Sequence, residues 1–344
     1  MKNILKVIFV IIGTIIGAGF ASGKEIYIFF NKYGICGIIG ILISGLVLGV
    51  LIYKVFYIVS KREEIDEYNE LLNYIFVNRK SNRFDIVKII TFIINIFLLI
   101  SFYIMVAGFS SYFKQEYGMS IYITSGIFAI LCYITLNNNI EGIIKISTAL
   151  VPIIIIFILN LGFEDLNYSI NQITNMNFFG DMLIDSIISS VLYASYNSII
   201  LIPVLISLKK YISKKNTVLI GVFTALIVII LSIFVYMILL KANVEIIKLD
   251  LPLIYVVKQF GTIYEYLYGV VIIISIFTSA LSAGYSFLEN CSKTQKQYNK
   301  LLIIMCVTSV FIAGIGFSEL VNILYPIFGV LGIIQIYYIL KIKI

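Results

Sequence analysis

The sequence predicts an all-α polytopic membrane protein of about ten transmembrane helices, arranged as a five-plus-five inverted repeat in which helices 1 and 6 are broken. Three observations carry that expectation. Of 344 residues, 61% are hydrophobic and 12% charged, with a mean hydropathy of +1.05, which leaves too little polar surface for a soluble domain. Apolar runs of about 20 residues recur along the chain, the length a helix needs to cross a roughly 30 Å hydrocarbon core. The first run is interrupted at mid-depth by Gly17-Ala18-Gly19-Phe20-Ala21-Ser22-Gly23, followed at once by Lys24 and Glu25. In hydrocarbon an unpaired backbone group costs several kcal/mol, so irregular backbone at that depth survives only where it lines a cavity or meets an ion or ligand.

A hydropathy window of about 19 residues places spans near 4–30, 35–58, 89–112, 119–137, 143–161, 183–207, 217–240, 265–288, 301–317 and 319–340. Lys2 and Lys6 before the first run, with small residues near position 21, have the outline of a signal peptide. Because the chain crosses many times afterwards, the segment is read as the first span. Residues 60–88 form a charged connection with room for a short amphipathic helix. Residues 162–182 hold Glu164, Asp165 and Asp181 without Lys or Arg and read as an external loop. The stretch 245–264 reads as an external interfacial helix that caps a vestibule. Pro152 and Pro326 fall inside spans, where kinks are expected.

With the N-terminus inside, nineteen of the 25 Lys and Arg residues fall on the cytoplasmic side. The other six are Lys24, Lys32, Lys114, Lys241, Lys248 and Lys258. By the positive-inside rule both termini face the cytoplasm of a bacterial cytoplasmic membrane. The net charge of +7 is therefore a topology signal, not a nucleic-acid surface. There is no histidine, which removes the commonest proton shuttle, metal ligand and triad base and argues against an enzyme. The four cysteines, Cys36, Cys132, Cys291 and Cys306, show no CxxC spacing and imply neither a disulfide framework nor a metal knuckle. No cofactor is expected beyond a coupling ion.

An odd number of spans in each half puts residues 1–161 and 183–344 in opposite orientations, as an inverted repeat requires. The sixth span carries the polar stretch Tyr193-Ala194-Ser195-Tyr196-Asn197-Ser198, with Pro203 after it. A pair of interrupted segments at matching positions points to the binding site of a secondary transporter. Gly13 and Gly17, like Gly19 and Gly23, also have the spacing of close helix packing. The two readings coexist, since a half-helix ending near Gly17 frees carbonyls for a cation and one starting near Gly19 offers amides to an anion such as an amino-acid carboxylate. Ser275, Thr278, Ser279 and Ser282 share one helical face, suited either to a hard cation or to bonds back into their own helix.

Gly13-Thr14-Ile15-Ile16-Gly17-Ala18-Gly19-Phe20 resembles the broken first helix of the leucine-transporter-like superfamily, and Phe277-Thr278-Ser279 resembles the hydroxyl pair of that fold's eighth helix. The run Gly17 to Glu25, with Tyr193 to Asn197, resembles an uncharacterised bacterial membrane-protein family labelled branched-chain-amino-acid-transporter-like, related to the amino acid, polyamine and organocation transporters. The resemblance implies a Na⁺ held by the carbonyls of Gly13, Ile16 and Ser275 and the hydroxyls of Thr278 and Ser279. It implies a solute beside Gly17, Ala18 and Gly19, faced by Tyr193, Ser195, Tyr196 and Asn197, with Tyr103 as an aromatic wall or gate. The sixth segment departs from the pattern in having no glycine. Lys145 is either a substitute for the sodium, as in some proton-coupled relatives, or a snorkelling topology residue. Lys24 and Glu25 read as an ion pair, a proton-coupling pair or residues of the external vestibule, and their spacing of about 100° on a helix argues against a direct mutual salt bridge.

The expected function is secondary active transport of a small amino-acid-like solute by alternating access, Na⁺-coupled, with H⁺ coupling as the alternative. The expected partners are that solute and the lipid bilayer, and nothing in the chain specifies an oligomeric state. Two rivals belong to other classes: a membrane nutrient receptor on the same fold, as in spore germination, and an intramembrane enzyme. The second would need facing aspartates, a serine with a base or a metal cluster, and only Asp185 and the Glu25 region come near.

Overall fold

A computed structural model of the chain describes residues 2–62, 64–77, 84–176, 180–242, 244–315 and 317–342. Among them the chain is helical throughout and forms no strand. The first expected span is three pieces: α1 (Lys2–Ile15), α2 (Ala18–Ser22) and α3 (Lys24–Phe29). The remaining long elements are α4 (Cys36–Lys61), α6 (Phe84–Tyr117), α7 (Ile121–Leu136), α8 (Asn139–Glu164), α10 (Gly180–Ser207), α11 (Thr217–Leu239), α14 (Thr262–Cys291), α15 (Gln295–Ile312) and α16 (Phe317–Lys341). Short helices lie between them: α5 (Tyr68–Val77), α9 (Leu166–Thr174), α12 (Val244–Lys248) and α13 (Pro252–Lys258). Among the described residues, eight helices are long and apolar enough to cross a bilayer by length and composition, and α1 and α7 are shorter apolar helices.

The outer faces are apolar. On α7, Ile123, Ile127, Ile130 and Ile134 are exposed at helical spacing while Thr124, Ser125, Phe128 and Cys132 are buried. That inversion of the soluble pattern is what a hydrocarbon solvent imposes. The chain is a polytopic α-helical membrane protein. Without a hydrophobic drive between helices, small residues set close approach. On α4 and α11, a Cβ on Gly221 would lie 2.7 Å from the Gly49 carbonyl, and one on Gly49 would lie 2.8 Å from the Ala225 methyl.

Two expectations change, for the sixth span and for the 162–182 connection, and two further segments take definite form. The sixth span is not broken, because α10 runs through Tyr193 to Ser198 and past Pro203. Two of its polar side chains are absorbed within the helix: Asn197 Nδ2 donates to the Tyr193 carbonyl at 3.0 Å and Ser198 Oγ to that of Ser195 at 2.6 Å. With no glycine in the stretch, nothing forces the backbone out of the α region. The 162–182 connection is largely helix, through the end of α8 and α9. The stretch 245–264 contains α12 and α13, and α13 buries Pro252, Leu253, Ile254, Val256 and Val257. Pro152 and Pro326 sit inside α8 and α16, which continue past them.

In the charged connection, α5 is amphipathic as expected, burying Tyr68, Leu71, Leu72 and Ile75 on one face. Arg79, Lys80 and Arg83 of that connection lie outside the described residues.

Candidate ion and solute site at the helix break

The break is built by two glycines. Gly17 is extended at φ −98°, ψ −165°, and Gly23 is left-handed at φ +84°. That second conformation costs an L-residue about 1–2 kcal/mol and glycine nothing. At Gly17 the requirement is space, since a Cβ would sit 2.9 Å from Ser279 Oγ and 3.3 Å from Met105 Cε. The Gly17 amide turns back to the Ile15 carbonyl at 3.1 Å and the Ala18 amide meets Met105 Sδ at 3.4 Å. Among the described residues no backbone amide is paired with the Ile16 carbonyl.

The eighth-span hydroxyls meet this end of α1. Ser279 Oγ donates to the Gly13 carbonyl at 2.9 Å, with the Thr14 carbonyl at 3.3 Å. Thr278 Oγ1 is 3.1 Å from both the Ser275 and Ile274 carbonyls. Thr14 Oγ1 and Ser282 Oγ are 2.8 Å apart. Gly13 and Ser279 are thus bonded across α1 and α14, Thr278 lies beside Gly13 with its Cβ 3.2 Å from where a Gly13 Cβ would be, Ser275 bonds within α14, and Ile16 stands at the end of the same half-helix. A further residue was not visible in the sequence pattern. Ser147 of α8 is fully buried, its hydroxyl has no partner, and it lies 3.4 Å from where a Gly13 Cβ would be. Lys145, by contrast, is exposed. It lines a cleft between α1 and α8 with Lys6, Glu141, Thr148 and Tyr211.

On the other side of the break, α10 presents Tyr193 and Tyr196, both fully buried. The Tyr196 hydroxyl donates to the Glu25 carboxylate, and Glu25 lies against Gly19, where any Cβ would collide with it. Tyr196 stacks on Phe29 and Tyr325 with centroids 5.5 and 4.6 Å away, and Tyr193 meets Tyr196 edge-on at 5.5 Å. Lys24 points elsewhere, its Nζ donating to the Ile247 carbonyl at 2.7 Å. The two adjacent charges therefore serve different neighbours. Tyr268 of α14 donates to the Ala21 carbonyl at 2.6 Å, and α13 closes over Gly23, where a Cβ would be 3.1 Å from that of Leu253.

Three expected residues stand apart. Tyr103 is bonded to Thr308 of α15 at 2.6 Å, and α6 meets the break instead through Met105 and Gly108, the latter with its Cβ position 3.1 Å from Ala18. Ser195 turns its backbone to Gly332 of α16. Asn197 bonds back into α10. Met105 and Gly108 share a helical face three residues apart, but apolar residues in an apolar span give no local sign of what they touch.

A broken first helix tied by a hydroxyl to a long partner, inside a bundle of apolar helices, defines an all-α polytopic membrane fold. No family model matches the chain. It is 27% identical over 329 residues to the uncharacterised membrane protein YkvI of Bacillus subtilis, covering 93% of this chain and 90% of that one. Among solved structures it resembles the manganese transporter of Eremococcus coleocola, with a TM-score of 0.59 at 15% identity over 91% of this chain and 69% of that one. It also resembles a Na⁺-coupled sialic acid symporter in a substrate-bound outward-open state, with a TM-score of 0.56 at 14% identity over 96% and 76%. The two structural likenesses are to membrane transporters, and at such identity they speak for the fold.

Proposed function

We propose that the chain is a secondary active transporter that moves a small amino-acid-like solute by alternating access, coupled to Na⁺. The observation that carries this reading is the Ser279 hydroxyl set on the Gly13 carbonyl at 2.9 Å, with Thr278 beside it and the unpartnered Ser147 hydroxyl opposite. Neutral carbonyl and hydroxyl oxygens suit a hard monovalent cation. Among the described residues no three His, Cys, Asp or Glu side chains cluster, which favours the sodium-coupled symporter over the manganese transporter as a guide. Gly13, Ile16 and Ser275 would give carbonyls, and Thr278 and Ser279 hydroxyls. An ion held there ties α1 to α14, and it drives transport to the extent that it binds one conformation more tightly than the other.

The solute would lie along Gly17, Ala18 and Gly19, walled by Tyr193 and Tyr196. Ser195 and Asn197 would shape α10 rather than touch the solute, and Tyr103 would hold α6 to α15. The halves 1–161 and 183–344 would be inverted repeats. That reading is supported by the packing of matching members on one another, α1 on α10, α4 on α11 and α6 on α14. The end bearing α9, α12 and α13 would face outward, and the cleft between α1 and α8 would be the start of the inward route.

Uptake of a panel of labelled amino acids into proteoliposomes, with and without a Na⁺ gradient, tests the proposal. The gradient should drive accumulation, and Thr278→Ala with Ser279→Ala should remove the sodium response. Robust uptake indifferent to sodium and to both hydroxyls would refute the cation site. No uptake at all, together with a co-purifying partner subunit, would favour the receptor.

A further inference from the structure

Glu25 is the buried group that the transport reading leaves without work. It is 2% exposed, and among the described residues no Lys or Arg nitrogen lies within ion-pair distance of it. Tyr196 donates to one carboxylate oxygen, and among the described residues the other accepts no hydrogen bond. The nearest cation in sequence, Lys24, is committed to the Ile247 carbonyl. Taking a carboxylate out of water without a counter-charge costs several kcal/mol. A positive partner would relieve that cost, and among the described residues the chain supplies none within ion-pair distance.

The surroundings describe that partner. Tyr196 of α10, which donates to Glu25, packs against Tyr193 of α10 and Tyr325 of α16, and Phe29 of the helix that carries Glu25 stacks on Tyr196. A carboxylate set among aromatic rings is the environment that attracts an organic ammonium, through charge and through the ring faces. A second observation points the same way. The Tyr193 hydroxyl is fully buried in the same ring cluster, where its oxygen can accept from an N–H donor. A bare metal cation is a poorer match, because one carboxylate and the tyrosine hydroxyls fall short of the six or more oxygens that hard ions collect.

We propose that Glu25, with Tyr193, Tyr196 and Tyr325, forms a subsite for the ammonium group of the transported solute. The inference rests on the transport reading for its context and names the solute class: an amine-bearing molecule whose positive end sits at Glu25 and whose remainder extends along Gly19 and Gly17. In the closed arrangement the Tyr196 hydroxyl covers one carboxylate oxygen and the rings close on each other. Opening the subsite requires α3 to part from α10 and α16, and Gly23 is the joint on which α3 is mounted.

The test is equilibrium binding to the full chain in nanodiscs, at fixed pH and sodium. The probes are the same amino-acid panel, each member paired with its des-amino carboxylic acid and with its decarboxylated amine. Wild-type protein should bind amino acids and amines and should bind the des-amino acids at least about tenfold more weakly. Glu25→Gln should erase that preference, and Tyr193→Phe, which leaves the Tyr196–Glu25 bond intact, should weaken ammonium probes about threefold without changing des-amino binding.

Equal binding of amino and des-amino probes by the wild type, or no binding of any ammonium probe, overturns the subsite. So does a folded Glu25→Gln protein that keeps its ammonium preference and loses only a pH response, which would make the ligand a proton. Binding is read without transport, so a chain that prefers ammonium probes but moves nothing across a vesicle keeps this inference and loses the transport reading.

Discussion

The Ser279 hydroxyl rests on the Gly13 carbonyl at 2.9 Å, so the half-helix that ends at the break is tied to α14. The Gly17 space requirement follows from the same contact, since Ser279 occupies the volume of a Gly17 side chain. One relationship thus fixes both the shape of the break and its oxygen donors.

Gly17→Ala should be more damaging than an exposed glycine change. A methyl group 2.9 Å from Ser279 Oγ must push α14 or Met105 away, at a cost of about 1–3 kcal/mol. The check is the melting temperature in detergent, with Gly126→Ala, which has open space around it, as the neutral comparison.

Gly23 and Gly118 separate backbone strain from crowding. Both have positive φ, +84° and +66°, but a Cβ at Gly23 meets Leu239 and Leu253 at 3.0–3.1 Å while none is met at Gly118. Gly118→Ala should cost about 1 kcal/mol from conformation alone, and Gly23→Ala should cost more and loosen α13. Thermal melts and protease sensitivity of the α12–α13 segment report both.

Lys241 pairs with Asp165, whose side chain is 1% exposed and also accepts from Ser169 at 2.9 Å. Lys241→Ala leaves that carboxylate buried with a hydroxyl as its remaining donor. The loss should be about 3 kcal/mol, and it should be largely recovered by adding Asp165→Asn. If the double variant melts as low as the single one, the pair is not what holds α9 to the bundle.

Lys258 carries a pH dependence. Burial works against its ammonium, but Glu116 at 2.9 Å and Glu265 at 3.2 Å outweigh it and raise its pKa above the ordinary lysine value. A raised folded pKa means that the contribution is complete below the unfolded lysine pKa and is lost as pH rises through the folded one. The bridge should hold at neutral pH and release only in strong alkali. Lys258→Met should flatten the alkaline limb of melting temperature against pH and leave the neutral-to-acid limb unchanged in shape.

What the sequence revealed and what it hid have physical reasons. The first-span break was legible because Gly17 and Gly23 are the residues that crowding and positive φ demand, and they stand in an apolar run where nothing else explains them. The hydroxyl face of α14 was legible from spacing alone, since Ser275, Thr278, Ser279 and Ser282 share one side of a helix. The intact α10 was misread because Ser198 and Asn197 satisfy themselves within a turn, and polar composition looks the same whether a helix absorbs it or breaks. The Tyr196–Glu25 bond and the approach of Ser147 to Gly13 join residues far apart in the chain. No local pattern announces such partners, and for the same reason Met105 took the contact at the break that the sequence assigned to Tyr103.

The most direct measurement of the central claim is binding of radiolabelled sodium to the purified, reconstituted chain. Saturable binding that Ser279→Ala weakens by at least about tenfold, that Ser147→Ala weakens less, and that Tyr103→Phe leaves untouched is the expected result. Wild-type protein that binds no sodium, or a Ser279→Ala protein that binds it as tightly as the wild type, would contradict the account.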